Sequence, residues 1–176
     1  FIHGAGGFAG PAAGWKLSMA QMVAFHAMRG GTGKTSLAAN LAVTYAQQGQ
    51  RAALLDLDLP SPGLYTLFGL RASKLNNDIH RVLDGQCSLE DAFCDITARL
   101  TIPMSGSVFL LPGLPSSASE NQPDAIQKAG KMFQNLQKWA REHAIDVLLL
   151  DLHPGLDEVT LFWLAAADLL LITMRL

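Results

Sequence analysis

Glycines, a lysine and hydroxyl residues are concentrated in one short segment near residue 30. Consecutive glycines let backbone N–H groups turn toward a phosphate chain, Lys34 supplies a cation for the β and γ phosphates, and the Thr35 hydroxyl can bind Mg²⁺. The segment lies between a predicted strand and a predicted helix, whose positive end points at the same place. We therefore predict that it binds the phosphates of a nucleotide. The residues assigned to the nucleotide are Gly30, Gly31, Thr32, Gly33, Lys34, Thr35 and Ser36.

One glycine of the standard phosphate-loop pattern is missing. The pattern requires a glycine five residues before Gly33, and this chain has Met28 there. The alternative interpretation is a glycine loop that only turns the chain. Because the loop lies at a strand-to-helix junction, we favour phosphate binding.

Three aspartates close hydrophobic segments that are predicted as strands. Asp56 and Asp58 close the segment 51–58, and Asp151 follows four apolar residues of the segment 146–152. Open α/β sheets bind ligands at the carboxyl ends of their strands, so we predict Asp151 as a ligand of Mg²⁺, Asp58 as a catalytic residue and Asp56 as a further candidate for the metal. An aspartate at a strand end is, taken alone, more often a turn or capping residue.

Strands and helices alternate along the chain in the order that positions these residues. The alternation predicts an open α/β fold, with a mostly parallel sheet, right-handed crossovers and helices on both faces. Residues 64–95 are weakly helical, with many polar interruptions. The predicted strands cover 22–27, 51–58, 107–113, 146–152 and 168–174, and the predicted helices cover 35–49, 124–143 and 156–166.

Apolar spacing in the two longer helices predicts which side chains are buried. In the first helix these are Leu37, Leu41, Tyr45 and the small residues between them, and Gly49 stands where a C-terminal glycine belongs. In the long helix the methionine and aromatic residues are interpreted as core, and a groove for a partner is the alternative. The positions of that helix are Ile126, Met132, Phe133, Leu136, Trp139 and Ala140.

The chain divides into a short leader and one domain. Residues 1–18 are interpreted as disordered or non-native, with Met19 or Met22 as candidate start. Residues 19–176 are predicted to form the N-terminal part of a P-loop nucleotide-binding domain. Since such a domain does not normally end directly after a buried strand, we expect further strands and helices beyond Leu176.

The composition excludes several classes of protein. Apolar residues make up 49% of the 176 residues, which excludes intrinsic disorder, and the net charge of −2 argues against nucleic-acid binding by the whole surface. No apolar run approaches the roughly 20 residues that cross a bilayer. Cys87 and Cys94 lack metal-site spacing and are predicted to be buried thiols in a reducing cytosol.

Three motifs resemble those of the ParA/MinD ATPases. The segment from Arg29 to Ser36 is similar to their deviant Walker A loop, the strand end with Asp56 and Asp58 to switch I, and the segment 148–155 to Walker B and switch II. The motifs occur in the expected order, and the resemblance extends from Met22 to Leu176. It implies an ATPase that forms a nucleotide-bound homodimer, returns to a monomer on hydrolysis, and positions plasmids, chromosomes, division sites, flagella or other cargo.

The resemblance also implies roles for single residues. Asp58 orients or activates the attacking water, and Asp151 acts on Mg²⁺ directly or through water. Arg29 takes the place of the family's signature lysine, which reaches the nucleotide of the partner subunit. The arginine guanidinium is planar and forked, whereas the lysine ammonium is a compact charge, so the geometry at the dimer interface could differ. Arg29 then either acts as an arginine finger in trans or leaves hydrolysis slow. A solvated surface arginine is the alternative. His153 is either a sensor of the γ phosphate or a loop histidine without a role.

Partners and location follow only from the resemblance. It implies a homodimer formed on ATP binding, an activating or cargo-adaptor protein, and contact with DNA or a membrane surface through regions after residue 176. The expected location is the cytoplasm, including the surface of the nucleoid or inner membrane. The alternative function is an ATP-binding adaptor that hardly hydrolyses. A cluster carrier similar to the nitrogenase iron protein is not indicated by the spacing of Cys87 and Cys94.

Overall fold

The computed structural model describes residues 19–115 and 124–175. Within these ranges the chain forms six strands and six α-helices. The predicted leader 1–18 and the Ser-rich stretch 116–123 lie outside the described residues. The strands are β1 (Gln21–His26), β2 (Arg51–Leu57), β3 (Cys94–Asp95), β4 (Ser107–Leu111), β5 (Val147–Leu152) and β6 (Leu169–Ile172), and the helices are α1 (Lys34–Gln47), α2 (Leu64–Leu67), α3 (Ile79–Leu83), α4 (Leu89–Ala92), α5 (Ala125–Glu142) and α6 (Glu158–Ala166).

The strands form one sheet in the order β3-β4-β2-β5-β1-β6. Every neighbouring pair is parallel except β3 and β4, which are antiparallel. The order brings β5 between β1 and β2, and the register sets Asp56 directly opposite Asp151. This confirms the predicted α/β fold with a mostly parallel sheet, and it gathers the ends of three strands beside the phosphate loop.

Helices cover both faces of the sheet, so the central strands are mainly apolar, and their buried polar residues lie near the carboxyl ends. Val23 and Phe25 face the layer of α1, while Met22 and Ala24 face the layer of α5 and α6. The small residues predicted for α1 form its fully buried stripe, and Leu41 and Tyr45 pack, partly buried, against the same core. Leu37 is 42% exposed, contrary to the prediction. Small side chains let the helix lie close to the sheet. The buried residues of α1 include Ala38, Ala39, Ala42 and Ala46.

The long helix α5 buries most of the predicted positions. Met132, Leu136, Trp139 and Ala140 are buried, and Phe133 packs against the same core. Ile126 is exposed, contrary to the prediction, and the buried residues of the helix begin one turn later, at Ala129.

The stretch between β2 and β4 contains short elements that depend on side-chain caps. Asp78 accepts a hydrogen bond from the N–H of Arg81 at the start of α3, and Ser88 and Asp91 form a reciprocal capping box on α4. The edge strand β3 was not predicted from the sequence, since two residues carry no readable alternation.

Two further expectations concern the thiols and membranes. Cys87 and Cys94 are free thiols and only half-buried, so the prediction of buried thiols is wrong. Among the residues described, no helix has the length and apolar character needed to cross a bilayer.

Candidate functional site

The loop between β1 and α1 has the backbone geometry of an anion-binding turn. Gly31 and Gly33 have φ values of 77° and 87°, in the left-handed region that favours glycine. Gly33 is the N-terminal cap of α1, and its carbonyl accepts from the N–H of Leu37 at 2.9 Å. The preceding N–H groups of the first turn have no partner within the helix and are available to a phosphate.

Lys34 is enclosed by the two aspartates predicted to act with it. Its side chain is 7% exposed, and Nζ donates to Oδ1 of Asp151 at 2.6 Å and lies 3.6 Å from Oδ2 of Asp58. A buried cation of this kind needs such compensation, because the interior solvates charge poorly. The structure therefore brings the P-loop lysine and the ends of β2 and β5 into one site.

Asp56 lies beside Asp151 but serves the following loop as well. Its Oδ2 accepts from the N–H groups of Gly63 and Leu64 at 3.0 and 2.9 Å, which fixes the start of α2. Burial raises the pKa of Asp56 to about 7, helped by the negative charges of Asp151 and Asp58 and opposed by those two N–H donors. Asp56 thus connects the floor of the site to the loop that follows β2.

Each of the three carboxylates has one buried oxygen without a hydrogen-bond partner among the described residues. These oxygens are Oδ1 of Asp56, Oδ1 of Asp58 and Oδ2 of Asp151. Burial also raises the pKa of Asp58, against the nearby charge of Lys34. Unpartnered carboxylate oxygens beside a phosphate loop fit the donor set that Mg²⁺ prefers.

The remaining predicted residues lie toward the surface. Arg29 and Ser36 are exposed, Thr35 is half-buried in the first turn of α1, and the Arg29 guanidinium has no ion pair or hydrogen bond within the part of the chain that is described. The Thr32 hydroxyl lies 2.7 Å from the hydroxyl of Thr173, just after β6. Arg29 is therefore not brought into the cluster formed by Lys34, Asp58 and Asp151.

Three nearby residues were missed from the sequence. Thr173 carries no signal of its own, because only the pairing of β6 with β1 places it at the loop. His26 is a polar residue in an apolar strand end, a signal that was available. Asp157 is recognisable as a helix cap: its carboxylate accepts from the N–H of Thr160 at 2.6 Å at the start of α6.

A family profile described as an AAA domain matches residues 20–176. The chain is 32% identical over 155 residues to the antiactivator FleN of Pseudomonas aeruginosa, covering 86% of this chain and 50% of FleN. It is 33% identical over 146 residues to the chromosome-partitioning ATPase Soj of Thermus thermophilus, covering 83% of this chain and 51% of Soj. The chain thus spans about half the length of these curated relatives.

A solved structure shows the same fold. The septum site-determining protein MinD of Pyrococcus horikoshii, complexed with Mg-ADP, superposes with a TM-score of 0.66 at 23% identity, over 89% of this chain and 58% of MinD. The family assignment agrees with the three sequence motifs. It agrees also with the mostly parallel sheet, in which Lys34 follows β1 at the start of α1. This chain belongs to the ParA/MinD family of P-loop ATPases.

Proposed function

We propose that this protein binds ATP with Mg²⁺, hydrolyses it slowly, and uses the bound nucleotide to switch between a monomer and a homodimer. The observation that carries the proposal is Lys34, held at the start of α1 between Asp58 and Asp151. A cation at a glycine-rich helix start binds phosphate, and adjacent free carboxylate oxygens bind the metal.

In this proposal the residues of the site bind either the phosphates or the metal, according to their position. The N–H groups of the glycine loop and Lys34 bind the phosphates, for which Lys34 must exchange its contact with Asp151 for a phosphate oxygen. Thr35 and Asp151 hold Mg²⁺, with Asp56 as a further candidate. The metal supplies charge neutralisation on the phosphates when it is bound.

Asp58 acts on the nucleophile in this proposal. Asp58 is buried, and its Oδ2 lies 3.6 Å from Nζ of Lys34, the cation proposed to bind the γ phosphate. A carboxylate beside a bound γ phosphate can orient the attacking water or accept its proton. Arg29, free at the surface, reaches the nucleotide of the partner subunit.

The biological role follows the named relatives. FleN is an antiactivator, Soj partitions chromosomes and MinD determines septum sites. We infer that this protein likewise positions cargo in the cytoplasm, with an activating or adaptor protein and with DNA or a membrane surface as the matrix, at the nucleoid or the inner membrane.

The second candidate function is an ATP-binding adaptor with little hydrolysis. Two observations favour it: Arg29 replaces the compact lysine of the family, and Met28 replaces a glycine of the standard loop. An adaptor would bind ATP and form dimers with full affinity, yet release almost no phosphate.

Asp58→Ala tests the proposal in the complete protein. We expect the affinity for ATP, measured by calorimetry, to stay within about threefold, while phosphate release falls by about 10²-fold or more, the usual contribution of such a group. Asp124→Ala, which removes an exposed carboxylate before α5, is the matched control and should hydrolyse normally. Parent protein that binds ATP without turnover would favour the adaptor, and parent protein that binds no nucleotide would overturn both.

A further inference from the structure

His153 lies between two carboxylates in the loop that follows β5. Its Nδ1 is 3.9 Å from Oδ1 of Asp58, and its Nε2 is 3.7 Å from Oδ2 of Asp157. The side chain is 31% exposed, so the ring is partly enclosed. The ring thus lies between the proposed hydrolytic aspartate and Asp157, the residue that caps α6.

The loop that carries His153 is fixed at both sides of the ring. Gly155 donates its N–H to the carbonyl of Ala27 at 3.0 Å, which ties the loop to the end of β1. Asp157 uses Oδ1 to cap α6 through Thr160, which leaves Oδ2 directed at the histidine. The position of the ring therefore depends on the phosphate-loop strand and on α6 together.

A second histidine lies behind this loop on its buried side. His26 is 4% exposed, and neither of its ring nitrogens makes a hydrogen bond of standard geometry within the described residues. Burial lowers the pKa of His26, and the charges of Lys34 and His153 lower it further, while the His153 backbone and Asp157 oppose the shift. His26 is therefore a buried polar neighbour of the loop that carries His153.

His153 and Asp58 each have a polar atom near the other residue that lacks a hydrogen-bond partner among the described residues. Nδ1 of His153 and Oδ1 of Asp58 are both buried and unpartnered among the described residues, at a separation about 1 Å longer than a hydrogen bond. Unpaired buried polar atoms are costly, so a small movement that joins them is favoured. We propose that His153 is a positioning residue for Asp58, which holds the direction of its carboxylate and connects it through Asp157 to the start of α6.

This inference rests on the proposed function, in which Asp58 orients the attacking water. A misplacement of about 1 Å in such a group can reduce the rate by about 10²-fold without altering binding. Loss of His153 should therefore change turnover and leave ATP affinity in place, which a residue needed only for folding would not do.

Two amide substitutions separate the two sides of the ring. In His153→Asn the amide nitrogen replaces Nδ1 and still reaches Asp58, whereas in His153→Gln it replaces Nε2 and reaches Asp157 instead. We expect His153→Ala to lower kcat by about 10- to 100-fold, with KM for ATP within about threefold. Asn should restore most of the lost kcat, and Gln little of it.

His80→Ala on α3 is the matched control, since that half-buried histidine lies outside the proposed site. It should retain the parent kcat, and the melting temperature of every variant reports folding. Equal kcat in His153→Ala and the parent protein overturns the inference, and so does a restoration by Gln that equals the one by Asn.

A crystal structure keeps the inference testable whatever the turnover. In crystals grown with Mg²⁺ and a non-hydrolysable ATP analogue, the separation of Nδ1 and Oδ1 should fall to about 3 Å, and Asp58 should change rotamer in His153→Ala. Absent hydrolysis or absent nucleotide binding would refute the proposed function alone, and the Asp58 rotamer, compared between nucleotide-free crystals of the parent protein and of His153→Ala, would still decide the role of His153. An Asp58 rotamer that is the same with and without the His153 side chain overturns the inference, and so does a separation that stays near 4 Å in the analogue-bound crystals.

Discussion

Lys34 carries its charge in a place that water hardly reaches. Its ammonium group is compensated by Asp151 and Asp58, and removing one partner of such a buried pair leaves an uncompensated charge. Nucleotide phosphates supply the same negative charge as these carboxylates. The resting contact therefore holds the lysine at the position from which it can reach a phosphate.

Lys34→Ala should abolish ATP binding for this reason. The variant loses a charge-assisted contact of roughly 1.5 to 3 kcal/mol for each phosphate oxygen bound, and the carboxylates then repel the nucleotide. Affinity for a fluorescent ATP analogue provides the measurement. Lys131→Ala, which removes an exposed cation from α5, is the control and should bind normally. Equal affinity in Lys34→Ala and the parent protein would exclude the phosphate-loop interpretation.

The residues of the site differ in how readable they are from the sequence. Lys34, Asp58 and Asp151 follow apolar segments, and parallel strands bring their carboxyl ends to one edge, so their meeting was predictable. The orientation of the His153 ring was not predictable, because it depends on Asp157 and on a loop that is hydrogen-bonded to Ala27. Contacts made by loops after the strands need the tertiary structure.

At the scale of elements, periodicity predicted the long units and failed for the short ones. The strands β1, β2, β4, β5 and β6 and the helices α1, α5 and α6 all occur near their predicted positions. α2 has four residues, and its first N–H groups are held by Asp56 from the end of β2. Helices this short depend on such distant partners, which leave no pattern in the local sequence.

Two glycines in different elements are expected to respond oppositely to alanine. Gly106 donates to the carbonyl of Ala46 at 2.8 Å before β4, and a methyl group there would overlap the backbone carbonyl of Gln50. Gly130 lies within α5 with open space around it. We expect Gly106→Ala to lower the free energy of unfolding by about 1–3 kcal/mol and Gly130→Ala to raise it by about 0.5–1 kcal/mol.

Urea unfolding monitored by circular dichroism measures both changes. Each variant is the control for the other, since both add one methyl group to the same chain. Unchanged stability in Gly106→Ala would mean that the loop directly before β4 relaxes without cost. A loss in Gly130→Ala would contradict the open environment of α5.

At the scale of the whole molecule, the site combines residues from both ends of the described chain. Arg29 lies outside the cluster of Lys34, Asp58 and Asp151. Arg29 is exposed on the loop and has no ion pair or hydrogen bond among the residues described, whereas Lys34, five residues later, is enclosed. In the homodimer that we propose, this exposed cation would act on the nucleotide of the second subunit. That part of the proposal is testable with two inactive variants.

In the complete protein, Arg29→Ala should bind ATP nearly normally but dimerise and hydrolyse poorly. Lys34→Ala should be inactive at its own nucleotide site, while its Arg29 can still reach the nucleotide of a partner subunit. Mixing the two variants creates heterodimers with one complete site, made from Lys34 of one chain and Arg29 of the other. A cation acting in trans contributes about 10³- to 10⁵-fold in rate, so phosphate release should rise well above that of either variant alone. Co-purification through two different tags establishes that heterodimers are present. If they are present and the mixture remains as inactive as its components, Arg29 does not act in trans, and binding without turnover becomes the better account of this protein.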